Sequence, residues 1–184
     1  MDDVLIERLA QKMLGQKDHF MFVEKKYLEI FRLFCIVGDH INTQNQIIIL
    51  NKFIKELRKT EISSFYQITL SKQKNDILAE AGIDKNILKK RRFGDYFKIC
   101  KEEYSSAWEY FVEYLELIAD MTKGRNKQVE DYMQGMFSID ILTDLFVGYE
   151  LQEAEAPIIR LLHNLYAESD KYYPIEKRKR ISDF

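Results

Sequence analysis

Three histidines are the side chains of this chain best suited to proton transfer or metal binding. They are His19, His40 and His163, which stand far apart in the sequence. The pair Asp39-His40 could ligate a metal or act as a base. However, no second ligand follows at helical spacing, and there is no His-Glu-x-x-His pattern. We therefore predict surface or capping roles, with no metal and no cofactor.

Paired carboxylates are the second candidates for chemistry. They occur at Glu102-Glu103 and at Glu150, Glu153 and Glu155. Exposed helix faces produce such pairs without any catalytic role, and a general acid needs a partner in a different environment. The 7 glycines are scattered singly, so no Gly-rich phosphate-binding loop is present. The sequence predicts no catalytic residues, and we expect that the protein is not an enzyme.

Two four-residue basic runs are candidates for binding. They are Lys89-Lys90-Arg91-Arg92 and the run formed by Lys177, Arg178, Lys179 and Arg180. Such runs bind nucleic acid, acidic lipid or an import receptor, but they also end solvated helices. The net charge of −2 and the lack of interleaved aromatic residues favour the second interpretation. We predict no nucleic-acid partner, and we treat the run 177–180 as a surface for contact with another domain.

Composition favours a soluble helical domain. The chain has 184 residues, 46% of them hydrophobic, with 12 Phe and 11 Tyr to fill a core but only 2 Pro. Cys35 and Cys100 lie in apolar surroundings, which predicts buried reduced thiols in a cytoplasmic protein, although a disulfide between them stays open. The start of the chain, Met1-Asp2-Asp3, lacks a signal-peptide core. The longest aliphatic run, 47–50, is far short of the roughly 20 residues of a membrane span, so we predict no membrane insertion of this segment.

The candidate residues named above lie on or between segments whose apolar residues recur at helical spacing. These apolar residues predict helices over 2–14, 20–37, 41–57, 83–92, 95–121, 126–134, 138–147 and 151–167, with one or two more in 63–81. The stretch 95–121 is either one helix or two helices that bend near residues 104–106. Pro157 leaves two alternatives for the last helix, a start near Ala156 or a kink. The residues predicted to form the core are Phe31, Phe34, Trp108, Phe111, Leu115, Ile118, Leu161 and Leu162. The sequence thus predicts an all-α fold.

A weak internal repeat relates residues 27–54 to residues 113–140. Each reads as a helix, a glycine and a polar-rich helix, at an offset of 86 residues. The matching apolar pairs are Leu28/Tyr114, Phe31/Leu117, Cys35/Met121 and Ile47/Met133. A helix-turn-helix unit used more than once is typical of an α-solenoid.

Two segments of the chain carry a further pattern of helices and glycine turns. The first comprises Tyr27-Leu28-Glu29-Ile30-Phe31, Gly38-Asp39-His40-Ile41 and Gln44-Asn45-Gln46. The second comprises residues 111–118 (Phe-Val-Glu-Tyr-Leu-Glu-Leu-Ile), 124–126 (Gly-Arg-Asn), 138–142 and 161–168, which ends in Tyr-Ala-Glu. These segments resemble the inositol trisphosphate receptor family, in the helical region between its ligand-binding end and its pore, although the family has Tyr-Val-Asp at the last position. Ryanodine receptors share this helical region. The resemblance implies an armadillo-like α-solenoid of about eight to ten helices, either as one domain over 1–184 or as sub-units 1–94 and 95–184.

The same resemblance implies a function. In the family, other domains hold the sugar phosphate and a membrane domain forms the pore. The chain would then be a non-catalytic cytosolic module of a calcium-release channel, at the endoplasmic reticulum membrane. It would relay ligand binding to the pore through neighbouring domains or subunits, and it would not bind inositol trisphosphate by itself. The alternative is a free-standing armadillo-like adaptor that binds a protein partner.

Overall fold

Seven α-helices make up most of the part of the chain that this computed structural model describes, residues 2–15, 25–56, 101, 105–148 and 151–168. The helices are α1 Asp2–Gly15, α2 Lys25–Cys35, α3 Thr43–Ile49, α4 Ser105–Thr122, α5 Lys127–Met136, α6 Ile139–Gly148 and α7 Gln152–Leu162. π-Helical turns extend α3 over Leu50–Ile54 and α7 over His163–Ala167. These residues confirm the all-α class. The helices predicted over 63–81 and 83–92 lie outside the described residues.

Helix α4 is the centre of the packing, because α2 and α7 both lie against it. Its residues Trp108, Phe111, Leu115 and Ile118 follow one another at spacings of three or four and are all buried. On α2 and α7, Phe31, Leu161 and Leu162 are also buried. Phe34 differs from the prediction, since it is only half-buried and packs at the rim of the core. The reason is that α2 turns its Leu28, Phe31 and Cys35 side inward.

Helix α2 ends at Cys35, two residues before its predicted end at Val37. There the β-branched pair Ile36–Val37 forms a short strand, β1, antiparallel to β2, His40–Ile41. Gly38 has a φ of 61°, which a two-residue hairpin turn requires and which glycine adopts at little steric cost. Helix α3 consequently begins at Thr43 rather than at residue 41. Periodicity alone missed this hairpin between two helices.

Pro157 lies inside α7, because this helix begins at Gln152. A helix start near Ala156 is therefore wrong. Proline has no N–H, so the carbonyl four residues earlier, at Glu153, receives no helical hydrogen bond from it. The glutamates Glu153 and Glu155 stand in the first turn, where the positive end of the helix dipole favours acidic side chains.

The predicted repeat exists as two helix–turn–helix units. The first unit is α2, the hairpin and α3, and the second unit is α4, its turn and α5. Gly38 and Gly124 keep the offset of 86 and both have positive φ, 61° and 89°. Beyond the glycines the offset falls to 84, because α3 begins five residues after Gly38 whereas α5 begins three residues after Gly124. The pairing of Ile47 with Met133 is corrected accordingly: Ile47 is half-buried, and the buried counterpart of Met133 is Ile49.

The two units pack side by side in the same direction. Lys25 near the start of α2 pairs with Glu109 on α4, and Arg32 near its end pairs with Asp120. Contacts between α7 and α4 advance in the same sense, from Arg160 with Asp120 to Asn164 with Thr122. Helices α2, α4 and α7 therefore form a layer of parallel helices, the front layer. Helix α1 packs mainly on α3 and on the π-helical turn that follows it.

Candidate functional site: a charged clamp and a turn lock

Three carboxylates lie on one face of α4. Glu113, Glu116 and Asp120 are spaced by three and four residues, so they stand above one another on the helix surface. Three like charges at this spacing repel one another unless cations lie between them. Arg32 of α2 and Arg160 of α7 supply those cations. We call these five residues the charged clamp.

The guanidinium of Arg32 contacts all three carboxylates. Its Nη1 donates to Glu113 Oε1 at 2.7 Å, its Nε to Asp120 Oδ2 at 2.7 Å, and its Nη2 lies 3.0 Å from Glu116 Oε2. Two of these carboxylates are shared with Arg160. The Nη1 of Arg160 donates to Asp120 Oδ1 at 2.8 Å, and its Nη2 contacts the same Oε2 of Glu116 that Arg32 reaches.

The charged clamp lies partly out of water. The side chains of Asp120 and Glu113 are 8% and 14% exposed, whereas those of Arg32 and Arg160 are 29% and 40% exposed. Burial would lower the pKa of Arg32, but its hydrogen bonds to Glu113 and Asp120 outweigh that effect and raise the pKa above its ordinary value. Partial burial also makes these ion pairs stronger than pairs in open solvent.

A second polar cluster joins the turns of the two units. Gln46 of α3 is fully buried, and its Nε2 donates to the carbonyls of Asp120 and Lys123 at 3.1 and 2.9 Å. Asn126, which precedes α5, donates from Nδ2 to the Thr43 carbonyl at 3.0 Å and to Gln46 Oε1 at 3.1 Å. Carbonyls at the end of a helix have no partner within that helix, so Gln46 completes the end of α4. We call Gln46, Asn126 and their carbonyl acceptors the turn lock.

The turn of the second unit also touches the hairpin of the first. A Cβ atom added to Gly124 would lie 2.9 Å from Ile41 Cγ2 and 3.0 Å from Cδ1, closer than such carbon atoms normally approach. Gly124 is therefore required both by its φ of 89° and by the nearness of Ile41. A side chain at position 124 would therefore force the Ile41 side chain to move.

Polar contacts also fix the ends of α5 and α7. Gln134 Nε2 donates to the Leu165 carbonyl at 2.7 Å, and the Tyr166 hydroxyl donates to the Phe137 carbonyl at 2.5 Å. Asn164 Nδ2 donates to the Ala119 carbonyl at 3.0 Å, which joins α7 to the end of α4. The π-helical turn at the end of α7 is thus held from two sides.

Cys35 lies in the core as a free thiol at the end of α2. Burial raises its pKa, and the negative charge of Asp120 adds to that rise, so the thiol stays protonated at physiological pH. A protonated, fully buried thiol is a poor nucleophile. Cys100 lies outside the described residues.

Four of the histidine and glutamate residues that the sequence offered for chemistry lie within the described ranges: His40, His163, Glu153 and Glu155. His40 and His163 are both exposed, and His163 Nε2 lies 3.9 Å from Glu168. Glu153 accepts a hydrogen bond from Lys101 at 2.7 Å, which lowers the pKa of Glu153. Among the described residues, no group of three His, Cys, Asp or Glu side chains is placed to hold a metal ion.

Several predicted residues fall outside the described structure: His19, Glu102, Glu103, Glu150, residues 89–92 and Lys177, Arg178, Lys179 and Arg180. Conversely, sequence reasoning missed the charged clamp. The spacing of Glu113, Glu116 and Asp120 is visible in the sequence and indicates one charged helix face. Nothing in the sequence pairs that face with Arg32 and Arg160, which are 81 and 40 residues from their nearest carboxylate partners by hydrogen bond.

No protein-family model, curated protein or solved structure matches this chain. Within the described ranges, no helix has the length and apolar character needed to cross a membrane. The site is a set of interhelical contacts: the charged clamp ties α2 and α7 to α4, and the turn lock ties α3 to the turn between α4 and α5.

Proposed function

We propose that this chain is a non-catalytic, armadillo-like helical module of an intracellular calcium-release channel, and that it relays ligand binding to the pore as a stiff body. The observation that carries the proposal is the stacking of its two helix–turn–helix units. Their leading helices run parallel, and their turns are joined by Gln46 and Asn126. Side-by-side stacking of like units is how α-solenoids are built.

The two segments that resemble the inositol trisphosphate receptor family support the same proposal. Residues 27–46 supply α2, the hairpin and the start of α3, while residues 111–168 supply most of α4 and all of α5, α6 and α7. Segments that lie apart in the sequence thus contribute to one packed body. Such a body can pass on a displacement, because tightly packed helices shift as units rather than deform smoothly.

In this proposal the partners are neighbouring domains or subunits of the channel, and the place of action is the cytosolic face of the endoplasmic reticulum. The alternative is a free-standing armadillo-like adaptor that binds a protein partner. The same stack serves both roles, so the two differ in what the module is attached to. Neither role requires a catalytic residue, a cofactor or a metal.

The test begins with the transcript past the codon for Phe184 and with the endogenous protein carrying a tag. The channel proposal expects the reading frame to continue into membrane-spanning segments and the tagged protein to fractionate with membranes. A 22.0 kDa polypeptide that stays in the supernatant would reject the channel proposal and favour the adaptor.

If the protein is found in membranes, a second experiment tests its function in the channel. Calcium release from microsomes is recorded against the dose of inositol trisphosphate, for the full-length protein and for a variant with Lys177, Arg178, Lys179 and Arg180 changed to Ser. We expect the variant to shift the dose–response curve while the protein remains assembled. Unchanged release would remove the run 177–180 from the coupling path.

Calorimetry with the 184-residue chain separates relay from ligand binding. We expect no binding of inositol trisphosphate at physiological salt, since the two basic runs are the only dense cation clusters in the sequence and belong to different segments. Tight binding with one ligand per chain would make this module a receptor site and would contradict the relay role.

A further inference from the structure

The two arginines of the charged clamp compete for the same acceptors. Both reach Glu116 Oε2, and each takes one oxygen of Asp120, so the two guanidiniums are neighbours across shared carboxylates. Two cations at this distance repel each other. Each arginine therefore binds the carboxylates against the repulsion of the other, and it would bind them more strongly if the other were absent.

The carboxylates have the opposite relation to the arginines. Glu113, Glu116 and Asp120 are 14%, 19% and 8% exposed, so water screens their mutual repulsion poorly. With both arginines in place, three negative charges face two positive charges. With one arginine gone, the remaining guanidinium still stands against the carboxylates. With both gone, three partly buried carboxylates have lost both arginine counterions, which is a strongly unfavourable state.

We propose that Arg32 and Arg160 form a redundant, two-sided clamp, so that the front layer comes apart only when both arginines are displaced. Loss of one arginine is compensated in part by a stronger hold of the other, whereas loss of both releases α2 and α7 from α4 together. The clamp thereby acts as a threshold. A disturbance that reaches only one flank leaves the layer closed, and a disturbance of both flanks opens it.

The two arginines belong to different helices, which supports the proposal that they can be displaced separately. Arg32 comes from α2 and Arg160 from α7, and each of these two helices packs on α4. Displacement of one helix therefore withdraws one guanidinium without moving the other. This threshold is a property of the front layer, and it holds whether or not the chain belongs to a channel.

The test is a double-mutant comparison in the full 184-residue chain. Arg32→Met and Arg160→Met each remove the charge while keeping an unbranched side chain. We expect the loss of urea midpoint in the double variant to exceed the sum of the losses in the two single variants. A sum that equals or exceeds the loss in the double variant would overturn the redundant clamp.

A matched control uses two lysines that do not share acceptors. Lys25 pairs with Glu109, and Lys101 pairs with Glu153. We expect the losses for Lys25→Met and Lys101→Met to add in their double variant, because no common carboxylate links them. More-than-additive loss in this control as well would show a general charge effect and would contradict the special role of the shared carboxylates.

A further variant keeps the proposal testable if the double variant fails to fold. Glu116→Gln and Asp120→Asn are added to Arg32→Met and Arg160→Met, which removes most of the unbalanced negative charge. We expect the helical circular dichroism signal to return. Failure of the signal to return would mean that the arginines act through packing rather than through the shared carboxylates, and the proposal would fall.

Amide hydrogen exchange measures directly whether α2 and α7 open separately or together. In Arg160→Met we expect amides of α2, from Leu28 to Cys35, to keep the protection that they have in the unmodified protein. In the double variant we expect α2 and α7 to lose protection together. Loss of α2 protection in Arg160→Met alone would show that one arginine suffices to open the layer, which contradicts the proposal.

Discussion

The first and second helix–turn–helix units have the same local plan but different surroundings. In the second unit, α4 packs against both α2 and α7, and its apolar residues are buried on more than one side. In the first unit, α2 exposes Ile30, Leu33 and Val37 at its outer side and at the hairpin. Their turns differ as well, since Gly38 meets nothing within 4 Å whereas Gly124 lies against Ile41. The difference shows that position within the stack, rather than the repeated pattern, sets how much a residue contributes.

The largest expected effect comes from the centre of α4. Leu115→Ala removes a side chain that is fully buried, and we expect a loss of roughly 2–5 kcal/mol in the free energy of unfolding. The matched variant on the outer side of the first unit is Leu33→Ala, which should change stability by less than about 0.5 kcal/mol, because Leu33 is 69% exposed. Urea denaturation followed by circular dichroism measures both losses. Similar losses for the two variants would contradict the buried position of Leu115 at the centre of α4.

The next comparison tests the corrected register of the repeat. Ile49 is fully buried and corresponds to Met133, so Ile49→Ala should destabilise by about 2–4 kcal/mol. Ile47 is half-buried, and Ile47→Ala should cost about 1 kcal/mol. If thermal melts ranked Ile47→Ala as the more damaging change, the offset of 86 would extend through α3 after all.

The glycine turns should respond unequally to added side chains. Gly124→Ala should lose roughly 2–3 kcal/mol, because a positive φ and the contact with Ile41 both oppose a methyl group. Gly38→Ala meets only the first penalty, about 1 kcal/mol. Replacement by Asn, which tolerates positive φ, should spare Gly38 and not Gly124. Denaturation midpoints that are equal for the two Asn variants would contradict the close approach of the turns.

The smallest expected effects come from changing the two asparagines that precede α3 and α5, Asn42 and Asn126, to Asp. Asn42 Oδ1 accepts from the Asn45 N–H at 3.0 Å, as an N-cap does, so Asn42→Asp keeps the bond and should be nearly neutral. Asn126 instead uses Nδ2 as a donor to Thr43 and Gln46. Asn126→Asp replaces that donor by an acceptor and should cost about 1–3 kcal/mol. Calorimetric melts of the two Asp variants distinguish the roles, and a harmless Asn126→Asp would remove Asn126 from the turn lock.

Local sequence was sufficient for the helical class and for most helix positions. Stripes such as Phe111, Leu115 and Ile118 recur at the helical period, and that period is fixed by backbone geometry alone. Glycines marked both turns, because φ values of 61° and 89° favour a residue without Cβ. Ser138 is a residue type that favours helix N-caps, and at the start of α6 its Oγ accepts from the Ile141 N–H at 3.3 Å.

The hairpin after α2 was not predicted, and Pro157 was left with two alternatives, a helix start near Ala156 or a kink, for a different reason. Both depend on a competition between neighbouring local structures whose free energies are similar, and packing decides the outcome. Ile36 and Val37 continue the apolar pattern of α2 but pair with Ile41 and His40 instead. The apolar periodicity of such a short segment fits both a helix and a strand, so it cannot distinguish between them.

Within the described residues, sequence by itself therefore determined most of the helical segments and most of their apolar sides. The tertiary structure alone decided that α2 and α7 share the carboxylates of α4, that Gln46 completes the end of α4, and that Gly124 must make room for Ile41. Periodicity is a local property of the backbone, whereas an ion pair between residues 40 or more positions apart exists only once helices have been placed side by side. That placement depends on which apolar stripes bury each other, and a single helix pattern fits more than one neighbour.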